Sequence, residues 1–589
     1  MKRLCMLLYQ VACLSMVSRA QPIPDAVVIG AGISGLSAAL EAARSGARII
    51  VVDQSTVGGG HAILSNGAVC MIDTPLQASQ KIADRAALAE KDFLARGEDA
   101  DPTWVARYVR ESKSELYDWF TAMGVRFETL VKTPGNSVPR LHLAKGKGLG
   151  LVGPLIEACL RQPSIQFVWA AKAEALIVKR GSVQGVRVRH LRSNRAETIH
   201  SRNIIVATGG FGSNLSMVLN NWPRGEPKPK HLLLGAAHTA TGSGHDMVIK
   251  TGGKLERMDH QWNYVLGLPD PRDPAGLRGL AAFNFSGIWV NQNGRRFTQE
   301  FGDPQVNLSA LLRQPGASYW TVFDEKSKEG FSITLAGWDN FKDVSKIVYE
   351  TEGVTIAANS ISELAARMGV PPGALERTVA RYNELASAGV DSDFQAFGPR
   401  TSPKPKLIAT GPFYAAKFFP ITRKTMGGVS VDQECHVLAR NGRPIPNLYA
   451  IGEVTGFGGI NGKAALEGTF LGPSAFMGRI AGRMVRANRK LVGEPLRRQA
   501  SEPPSPKPEF SNAECLGCHD FAVLRNNRQG YWHFEQSHRK VQDRGYQCAS
   551  CHSEMLPYEP QRHTLNRLAQ MPTCETCHGV QSTRAAIKP

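Results

Sequence analysis

No apolar run in this chain reaches the roughly 18 residues that a membrane-spanning helix needs. The nearest, Leu4 to Val17, is interrupted by Tyr9, Gln10 and Ser15. Charged residues make up only 21% and hydrophobic residues 42% of the chain, a composition that excludes disorder, collagen or coiled coil as a global description. The sequence therefore predicts a globular protein with no membrane span, and its 589 residues allow about two to four domains.

Acidic residues are in deficit, because 51 Asp and Glu face 70 Lys and Arg, which gives a formal net charge of +19. Residues 501–589 hold ten Lys/Arg and nine Asp/Glu, so the positive excess lies in the rest of the chain. No basic cluster with interleaved aromatic residues occurs, and no nucleic-acid partner is predicted. The charge pattern favours an anionic small-molecule substrate and a redox partner that docks at the C-terminal segment.

The first twenty residues have the pattern of a secretory signal peptide. Lys2-Arg3 is a charged n-region, an apolar block follows from Leu4 to Leu14, and Ser18-Arg19-Ala20 is a small-x-small cleavage site. An N-terminal helix packed on the body is the alternative, but the apolar residues lack an amphipathic period. We therefore predict cleavage after residue 20 and a periplasmic protein.

Cysteine is scarce through most of the chain, yet six of its 11 cysteines lie in the last 75 residues. They form three Cys-x-x-Cys-His segments: Cys515, Cys518 and His519 in the first, Cys548, Cys551 and His552 in the second, and Cys574, Cys577 and His578 in the third. This spacing is typical of c-type haem attachment, in which two thiols bond to the haem and the adjacent imidazole binds its iron. Structural zinc and disulfides are the alternatives, but both fit three such pairs, each followed by His, poorly. The sequence predicts three covalent haem c groups.

Three further histidines occur in the same segment: His533, His538 and His563. Their number equals the number of haems that lack a distal ligand, so we expect bis-histidine, electron-transferring haems; Met555 and Met571 are alternative ligands. The Pro-rich stretch Glu502 to Pro508 precedes this segment. We predict a linker over residues 491–512 and a small, haem-packed, mostly irregular or helical cytochrome domain over residues 513–589.

Near the N-terminus, an apolar strand, a glycine turn and a helix start follow one another from Ala26 to Leu40. Gly30, Gly32 and Gly35 complete a GxGxxG pattern, and Asp53 ends the next apolar run. Such glycines let the backbone approach a pyrophosphate at a helix N-terminus, while the acidic residue accepts ribose hydroxyls. The pattern predicts a Rossmann-like α/β domain that binds a dinucleotide.

Further glycine-rich motifs accompany that pattern. They are Val57-Gly-Gly-Gly60, Ala207-Thr-Gly-Gly-Phe-Gly212, Val290-Asn-Gln-Asn-Gly-Arg-Arg-Phe297, Thr425-Met-Gly-Gly428, Gly452-Glu-Val-Thr-Gly456 and Gly478-Arg-Ile-Ala-Gly482. With these motifs the chain resembles the flavocytochrome c branch of the fumarate reductase and succinate dehydrogenase flavoprotein superfamily. The resemblance implies FAD held by glycines that include Gly59, Gly209 and Gly210, with Glu453 at the cofactor.

The resemblance also implies the division of the chain into domains. The FAD-binding domain is expected in two parts, residues 21–235 and 409–490, and an α+β capping domain that closes over substrate is expected between them, at residues 236–408. The order of domains departs from the well-known fumarate reductases of this type, which carry four haems before the flavin domain, whereas this chain carries three such motifs after it.

In the family, hydride passes between the flavin and one carbon of an activated double bond, while an arginine protonates the other carbon. The resemblance places that role on Arg296 of the Gly-Arg-Arg-Phe motif. A hairpin turn with solvated arginines is the alternative interpretation of Asn293 to Arg296.

The residues expected to bind substrate depart from the fumarate pattern. Arg423-Lys424 stands where the family has a His-His pair, Lys463 stands in place of a clamping arginine, and Tyr264 aligns near a family histidine. Lys424 and Lys463 can act as point charges for one oxygen but lack the fork of arginine, and ordinary solvated lysines are the alternative. With aromatic residues near the same motifs, these changes predict an unsaturated carbonyl or carboxylate substrate with a larger apolar body than fumarate.

His61 matches the spacing of the histidine that bonds covalently to FAD in membrane-bound relatives. Soluble flavocytochromes generally lack that histidine, so we predict noncovalent FAD, with covalent attachment as the alternative.

Taken together, the motifs and the family that they resemble imply a periplasmic reductase of activated C=C bonds that receives electrons from a quinol-oxidising cytochrome or another periplasmic donor. Two other functions stay open. One is a dehydrogenase, similar to ketosteroid or tricarballylate dehydrogenases, that passes electrons out through the haems, and the other is an electron carrier without turnover.

We predict that the purified protein lacks residues 1–20 and carries three covalent haems, because each Cys-x-x-Cys-His segment attaches one. Intact-mass spectrometry of denatured protein measures both. A mass without three haem additions, or free alkylation of Cys515, Cys548 and Cys574, would contradict the assignment.

Overall fold

The computed structural model describes residues 23–491, except 56, 192, 334–340 and 398–404. The predicted signal peptide, all of the predicted linker but residue 491, and the whole of the predicted cytochrome domain lie outside the described residues.

All of the predicted haem-binding residues therefore stay predictions of the sequence. The thiols expected to attach haem, which lie outside the described residues, are Cys515, Cys518, Cys548, Cys551, Cys574 and Cys577. The expected proximal iron ligands, which also lie outside them, are His519, His552 and His578. The same is true of the expected distal ligands His533, His538 and His563.

Helices in the described part of the chain are numbered in chain order. They are α1 (Ile33–Ala43), α2 (Pro75–Ser79), α3 (Ala86–Gly97), α4 (Pro102–Ser112), α5 (Asp118–Ala122), α6 (Lys147–Leu160), α7 (Leu215–Asn220), α8 (Ser243–Lys250), α9 (Pro304–Leu312), α10 (Phe341–Val348), α11 (Ile361–Met368), α12 (Pro372–Ala388) and α13 (Leu471–Leu491). One π-helical turn, Lys113–Tyr117, joins α4 to α5.

Strands are numbered in the same way. They are β1 (Ala26–Ile29), β2 (Ile49–Val52), β3 (Ala68–Cys70), β4 (Phe127–Val131), β5 (Leu141–Ala144), β6 (Ile165–Val168), β7 (Ala171–Lys179), β8 (Ser182–His190), β9 (Ala196–His200), β10 (Ile204–Val206), β11 (Leu233–Leu234), β12 (Leu255–Glu256), β13 (Gln261–Pro269), β14 (Gly279–Asn284), β15 (Ile288–Val290), β16 (Tyr319–Asp324), β17 (Phe331–Ile333), β18 (Thr355–Ala358), β19 (Phe413–Thr425), β20 (Gly428–Val429), β21 (His436–Leu438) and β22 (Pro444–Ala450).

A six-stranded sheet of order β21-β22-β10-β1-β2-β6 forms the centre of the first domain. Its strands pair in parallel except for β21. β1 and β2 are short runs of Ala, Val and Ile that are buried almost throughout, as expected for parallel strands with both faces covered. The helix α1 connects β1 to β2, which completes the predicted β-α-β unit.

The C-terminal helix α13 returns to this sheet and packs on α1. Its Gly478 and Gly482 lie at the contact, where an added Cβ would come within 2.3 Å of Ser34 O and 2.7 Å of Ala38 O. The glycines therefore allow the two helix backbones to approach closely. Residues from both ends of the described chain thus pack against the same sheet.

The second large sheet has eight strands and is mostly antiparallel. Its order is β15-β16-β19-β13-β14-β17, with β11 and β18 also paired to β19. The long strand β19 is the centre of this sheet, although it lies beyond the predicted end of the cap at residue 408. The cap sheet therefore includes residues that the sequence assigned to the second part of the FAD-binding domain.

The described chain is a mixed α/β fold with several sheets, which agrees with the predicted fold class for this part of the protein. Among the residues described, none of the helices combines the length and the apolar character that crossing a membrane requires.

Candidate functional site

In the glycine turn after β1, backbone atoms approach each other so closely that no side chain fits between them. Gly30 has a φ of 115°, and a Cβ there would lie 2.3 Å from Ala207 O. A Cβ at Gly35 would lie 1.9 Å from Gly30 O. Two of the three predicted glycines are therefore required so that β1, α1 and the segment after β10 can touch.

The third glycine of the pattern faces open space instead. Gly32 precedes the first turn of α1, and no atom lies within 4 Å of a Cβ added there. The same is true of Gly209. Gly59, with a φ of 99°, forms a β-bridge with Gly32. This glycine-lined opening at a helix N-terminus fits the pyrophosphate of a dinucleotide, because the free backbone amides there favour an anion.

Asp53 stands directly after β2, where the sequence predicted it. Its carboxylate accepts hydrogen bonds from Ala31 N at 2.6 Å and Ser55 N at 2.7 Å. Burial raises its pKa, although these two amides oppose the shift. The amides fix the carboxylate beside the glycine turn, and its remaining lone pairs can accept ribose hydroxyls.

Glu453 connects this glycine-lined opening to the cap sheet. Its Oε1 accepts hydrogen bonds from Thr425 N at 3.1 Å and Thr425 Oγ1 at 3.3 Å. A Cβ at Gly210 would lie 2.2 Å from Thr425 Oγ1 and 2.4 Å from Glu453 Oε1, so only glycine fits there. The end of β19 is thereby held against the segment that carries Gly209.

Strand register places three side chains, two of them candidates from the sequence, on one face next to this junction. In the antiparallel pair β13–β19, Trp262 lies opposite Lys424. Residues two apart in a strand share a face, so Tyr264 lies on the same side as Trp262, across a β-bulge. The sheet therefore brings Tyr264 and Lys424 together, two residues that the sequence selected separately.

The Tyr264 hydroxyl is the centre of a hydrogen-bonded cluster. It donates to Glu467 Oε1 at 2.7 Å and accepts from Trp262 Nε1 at 3.2 Å and from Lys424 Nζ at 3.4 Å. The Lys424 ammonium also lies 3.8 Å from the centre of the Phe470 ring, a cation–π contact. We call Tyr264, Lys424, Glu467 and Trp262 the tyrosine cluster.

The surroundings of this cluster are apolar. Trp262, Met426, Phe457 and Phe470 are all buried and pack together, with Tyr264 against them. Burial raises the pKa of Tyr264 well above its usual value, and the nearby Glu467 carboxylate adds to the shift. The tyrosine is therefore a neutral proton donor.

Lys424 titrates in a lower range than an ordinary lysine. Burial lowers its pKa to about 8, and Arg423 contributes in the same direction, while Glu467 and Glu453 oppose the shift. A lysine with this pKa exchanges its proton near neutral pH, which suits a group that resupplies protons.

His61 lies in the turn Gly60–Leu64, which follows the bridge between Gly59 and Gly32. Burial lowers its pKa to about 3, and the positive charges of Arg423 and Lys424 add to the effect. His61 is therefore a neutral imidazole. Noncovalent FAD, and covalent attachment at His61 as its alternative, both stay predictions of the sequence.

Arg296, the predicted proton donor, lies in different surroundings. Its guanidinium donates to Glu300 at 2.5 and 2.7 Å and to Asp391 at 2.7 Å. It lies over the rings of Phe394 and Tyr382, at 4.9 and 5.5 Å. All these partners belong to the cap, and none belongs to the tyrosine cluster.

The electrostatics of Arg296 also oppose proton donation. Burial alone would lower its pKa, but the two carboxylates outweigh burial and raise it above the usual value for arginine. An arginine so paired holds its proton more tightly than an exposed one. Arg296 is therefore held by two carboxylates of the cap, whereas Tyr264 has the Lys424 ammonium beside its hydroxyl.

Lys463 does not belong to the tyrosine cluster either. Its side chain is 63% exposed and lies 3.9 Å from Glu98 Oε2. Its backbone amide, not its ammonium, makes the ordered contacts, to Gly97 O at 3.0 Å and Asp99 Oδ1 at 2.9 Å. In this arrangement Lys463 has the solvated position that was its alternative interpretation.

Glu467 is the site residue that sequence reasoning missed. It follows an apolar stretch, Ala464 to Leu466, and precedes Gly468, so a lone carboxylate in buried surroundings was the available signal. Its partner, Tyr264, lies 203 residues earlier in the chain. Only the fold brings the two side chains together.

Most of the described chain is similar to known proteins. A family described as the FAD binding domain matches residues 25–471. A KsdD-like steroid dehydrogenase of Mycobacterium tuberculosis is 31% identical, with 78% of this chain and 95% of that protein covered. A fumarate reductase (cytochrome) of Shewanella frigidimarina is 30% identical, with 78% of this chain and 76% of that protein covered.

A solved structure is also similar to this chain. The open conformation of a flavocytochrome c3 fumarate reductase superposes with a TM-score of 0.65 at 25% identity, over 82% of this chain and 80% of that one. The predicted FAD cofactor and the resemblance of the flavin domain are confirmed by these matches.

Proposed function

Because the chain belongs to the FAD-dependent oxidoreductases of the fumarate reductase and ketosteroid dehydrogenase family, which act on C–C bonds, we propose that it reduces an activated C=C bond. The substrate is an α,β-unsaturated carbonyl compound or carboxylate other than fumarate. The observation that carries this proposal is the tyrosine cluster, which offers an acid in apolar surroundings beside the glycine-lined opening.

The residues that would hold FAD are the glycines of the opening, Asp53 and Glu453. When bound, FAD supplies the hydride that adds to the β carbon of the substrate. The chain's own residues then have to provide a proton for the α carbon, exclude water and orient the carbonyl group.

Tyr264 supplies that proton in our proposal. Its O–H bond breaks as a C–H bond forms at the α carbon, and the ammonium of Lys424 then reprotonates the phenolate. This transfer runs downhill, because the pKa of Lys424 is about 8 whereas that of Tyr264 lies well above 10. Glu467 holds the hydroxyl in place through its 2.7 Å hydrogen bond.

The walls of the cluster support a substrate with an apolar body. Trp262, Phe457 and Phe470 are buried beside Tyr264, whereas Lys424 is the one cation in direct contact with the tyrosine hydroxyl among the described residues. A dicarboxylate such as fumarate needs two fixed cationic clamps. One carbonyl or carboxylate oxygen fits this arrangement better.

The source of the electrons rests on the sequence. We propose that the three Cys-x-x-Cys-His segments bind haem c and connect the flavin to a quinol-oxidising cytochrome or another periplasmic donor. In this proposal His519, His552 and His578 are the proximal ligands of the three haem irons. Noncovalent FAD and export through the N-terminal segment belong to the same proposal.

A second candidate function is the reverse reaction, dehydrogenation of a saturated ketone. Two observations favour it: the similarity to a KsdD-like steroid dehydrogenase, and the hydrogen bond that Tyr264 donates to Glu467, because a carboxylate in that position can draw the phenolic proton from a tyrosine that acts as a general base.

The substrate proposal predicts a clear order of reactivity. Dithionite-reduced protein should be reoxidised by cyclic enones or by unsaturated acids with an apolar ring at least about a hundredfold faster than by fumarate. With a single clamping cation at the tyrosine cluster, the second carboxylate of fumarate lacks the hydrogen bonds that a second clamp would give it. Stopped-flow absorbance of the flavin measures the rates. Reoxidation by fumarate at a comparable rate would contradict the proposal.

The acid is tested by Tyr264→Phe, which should keep FAD but lower turnover roughly 10²- to 10⁴-fold, since only proton transfer is lost. Tyr414→Phe is a matched control, because the Tyr414 hydroxyl also donates to a glutamate, Glu325, and accepts from a lysine, Lys328, at 3.4 Å, but within the cap. The control should retain wild-type turnover.

Equal losses in the two variants, or no loss in Tyr264→Phe, would show that the tyrosine is not the acid. Loss of activity on replacing Arg296, with Tyr264→Phe fully active, would return the role to the arginine that the sequence selected.

A further inference from the structure

Arg296 and three other arginines line a pocket in the cap that the proposed reaction does not use. The pocket has a volume of about 300 Å³, and its walls include Arg295, Arg296, Arg377, Arg381, Tyr382 and Phe394. We call it the basic pocket. Its walls come from the turn after β15, from α12 and from the segment after α12, and none of the residues of the tyrosine cluster contributes to it.

Two of the four arginines are already paired with carboxylates. Arg381 lies 2.8 Å from Asp393, the one carboxylate that itself lines the pocket, and 3.4 Å from Glu384. Arg296 is paired with Glu300 and Asp391, as described above. These two guanidinium groups are therefore fixed in place but largely neutralised.

The other two arginines keep their charges available. Neither Arg295 nor Arg377 forms an ion pair with a carboxylate among the described residues, and both residues are exposed. The pocket therefore offers two guanidinium groups that no carboxylate of the described chain neutralises.

A buried donor without a partner lies at the same pocket. The Arg296 side chain is only 5% exposed, and its Nη1 has no hydrogen-bond partner among the described residues although its other nitrogens are bound. An unpaired N–H in a buried guanidinium costs free energy unless a ligand satisfies it. Arg296, a residue of the pocket wall, therefore combines a structural ion pair with one buried donor that has no partner among the described residues.

From this arrangement we infer that the basic pocket is a second ligand site, which binds a small anion through a carboxylate or phosphate group. Guanidinium groups present paired N–H donors whose geometry matches these two anions. Phe394 and Tyr382 supply apolar walls that limit water around the charges, and a volume near the lower end for ligand pockets restricts the ligand to a small molecule.

The site is independent of the proposed function, because it requires neither FAD chemistry nor the tyrosine cluster. Its ligand binds to the cap alone. Binding can therefore be measured on the oxidised holoenzyme without turnover.

The test is isothermal titration calorimetry of the holoenzyme with two probes, inorganic phosphate and acetate, in a buffer free of other phosphates and carboxylates. The two probes distinguish a phosphate ligand from a carboxylate ligand. We expect at least one to bind the wild type and to bind Arg295→Ala/Arg377→Ala at least about tenfold more weakly, because two charge-assisted contacts are lost. Both positions are exposed, so this variant should fold normally.

Two controls separate a specific site from general attraction and from the substrate site. Arg440→Ala/Arg443→Ala removes the same two charges from exposed positions of the turn between β21 and β22 and should bind the probe like the wild type. Tyr264→Phe should also bind it like the wild type.

Failure of both probes to bind the wild type would overturn the inference. So would unchanged binding in Arg295→Ala/Arg377→Ala, an equal loss in the Arg440/Arg443 control, or a loss in Tyr264→Phe.

Discussion

The antiparallel pairing of β13 with β19 is the constraint on which the candidate site depends. It sets Trp262 opposite Lys424 and turns Tyr264 to the same face. The end of β19 is then fixed to the FAD-binding domain, because Thr425 donates to Glu453 and packs against Gly210. A shift of one residue in this register would turn both functional side chains to the opposite face. The proton donor and the cofactor opening are thus positioned by the same strand.

Burial gives these side chains their chemistry. Lys424 and Tyr264 lie among Trp262, Phe457 and Phe470, so desolvation lowers the lysine pKa and raises the tyrosine pKa. The two shifts move in opposite directions and make the lysine the stronger acid of the pair. Arg296 has the contrary environment, since two carboxylates stabilise its charge and tighten its hold on the proton. The cap uses that arginine to join the turn after β15 to the segment after α12.

Much of the flavin domain could be predicted from the sequence, because glycine patterns report local backbone geometry. Gly30 and Gly35 stand where close backbone contacts exclude any side chain, and Asp53 follows β2 as expected. The contacts of the cap residues were harder to predict from the sequence. Arg296 was selected from its motif, but its partner Asp391 lies 95 residues later, and no local pattern indicates that pair. Glu467 could not be predicted for the same reason, since its role depends on a contact across 203 residues.

The central claim, that Lys424 resupplies protons to Tyr264, is tested most directly by the pH dependence of kcat for reduction of an enone. The protonated lysine is the active form, so kcat of the wild type should fall as the pH rises through about 8, the value to which burial lowers this pKa. In Lys424→Met the rate should be low and this break should be absent. A wild-type rate that stays constant well beyond that pH, or the same break in Lys424→Met, would contradict the account.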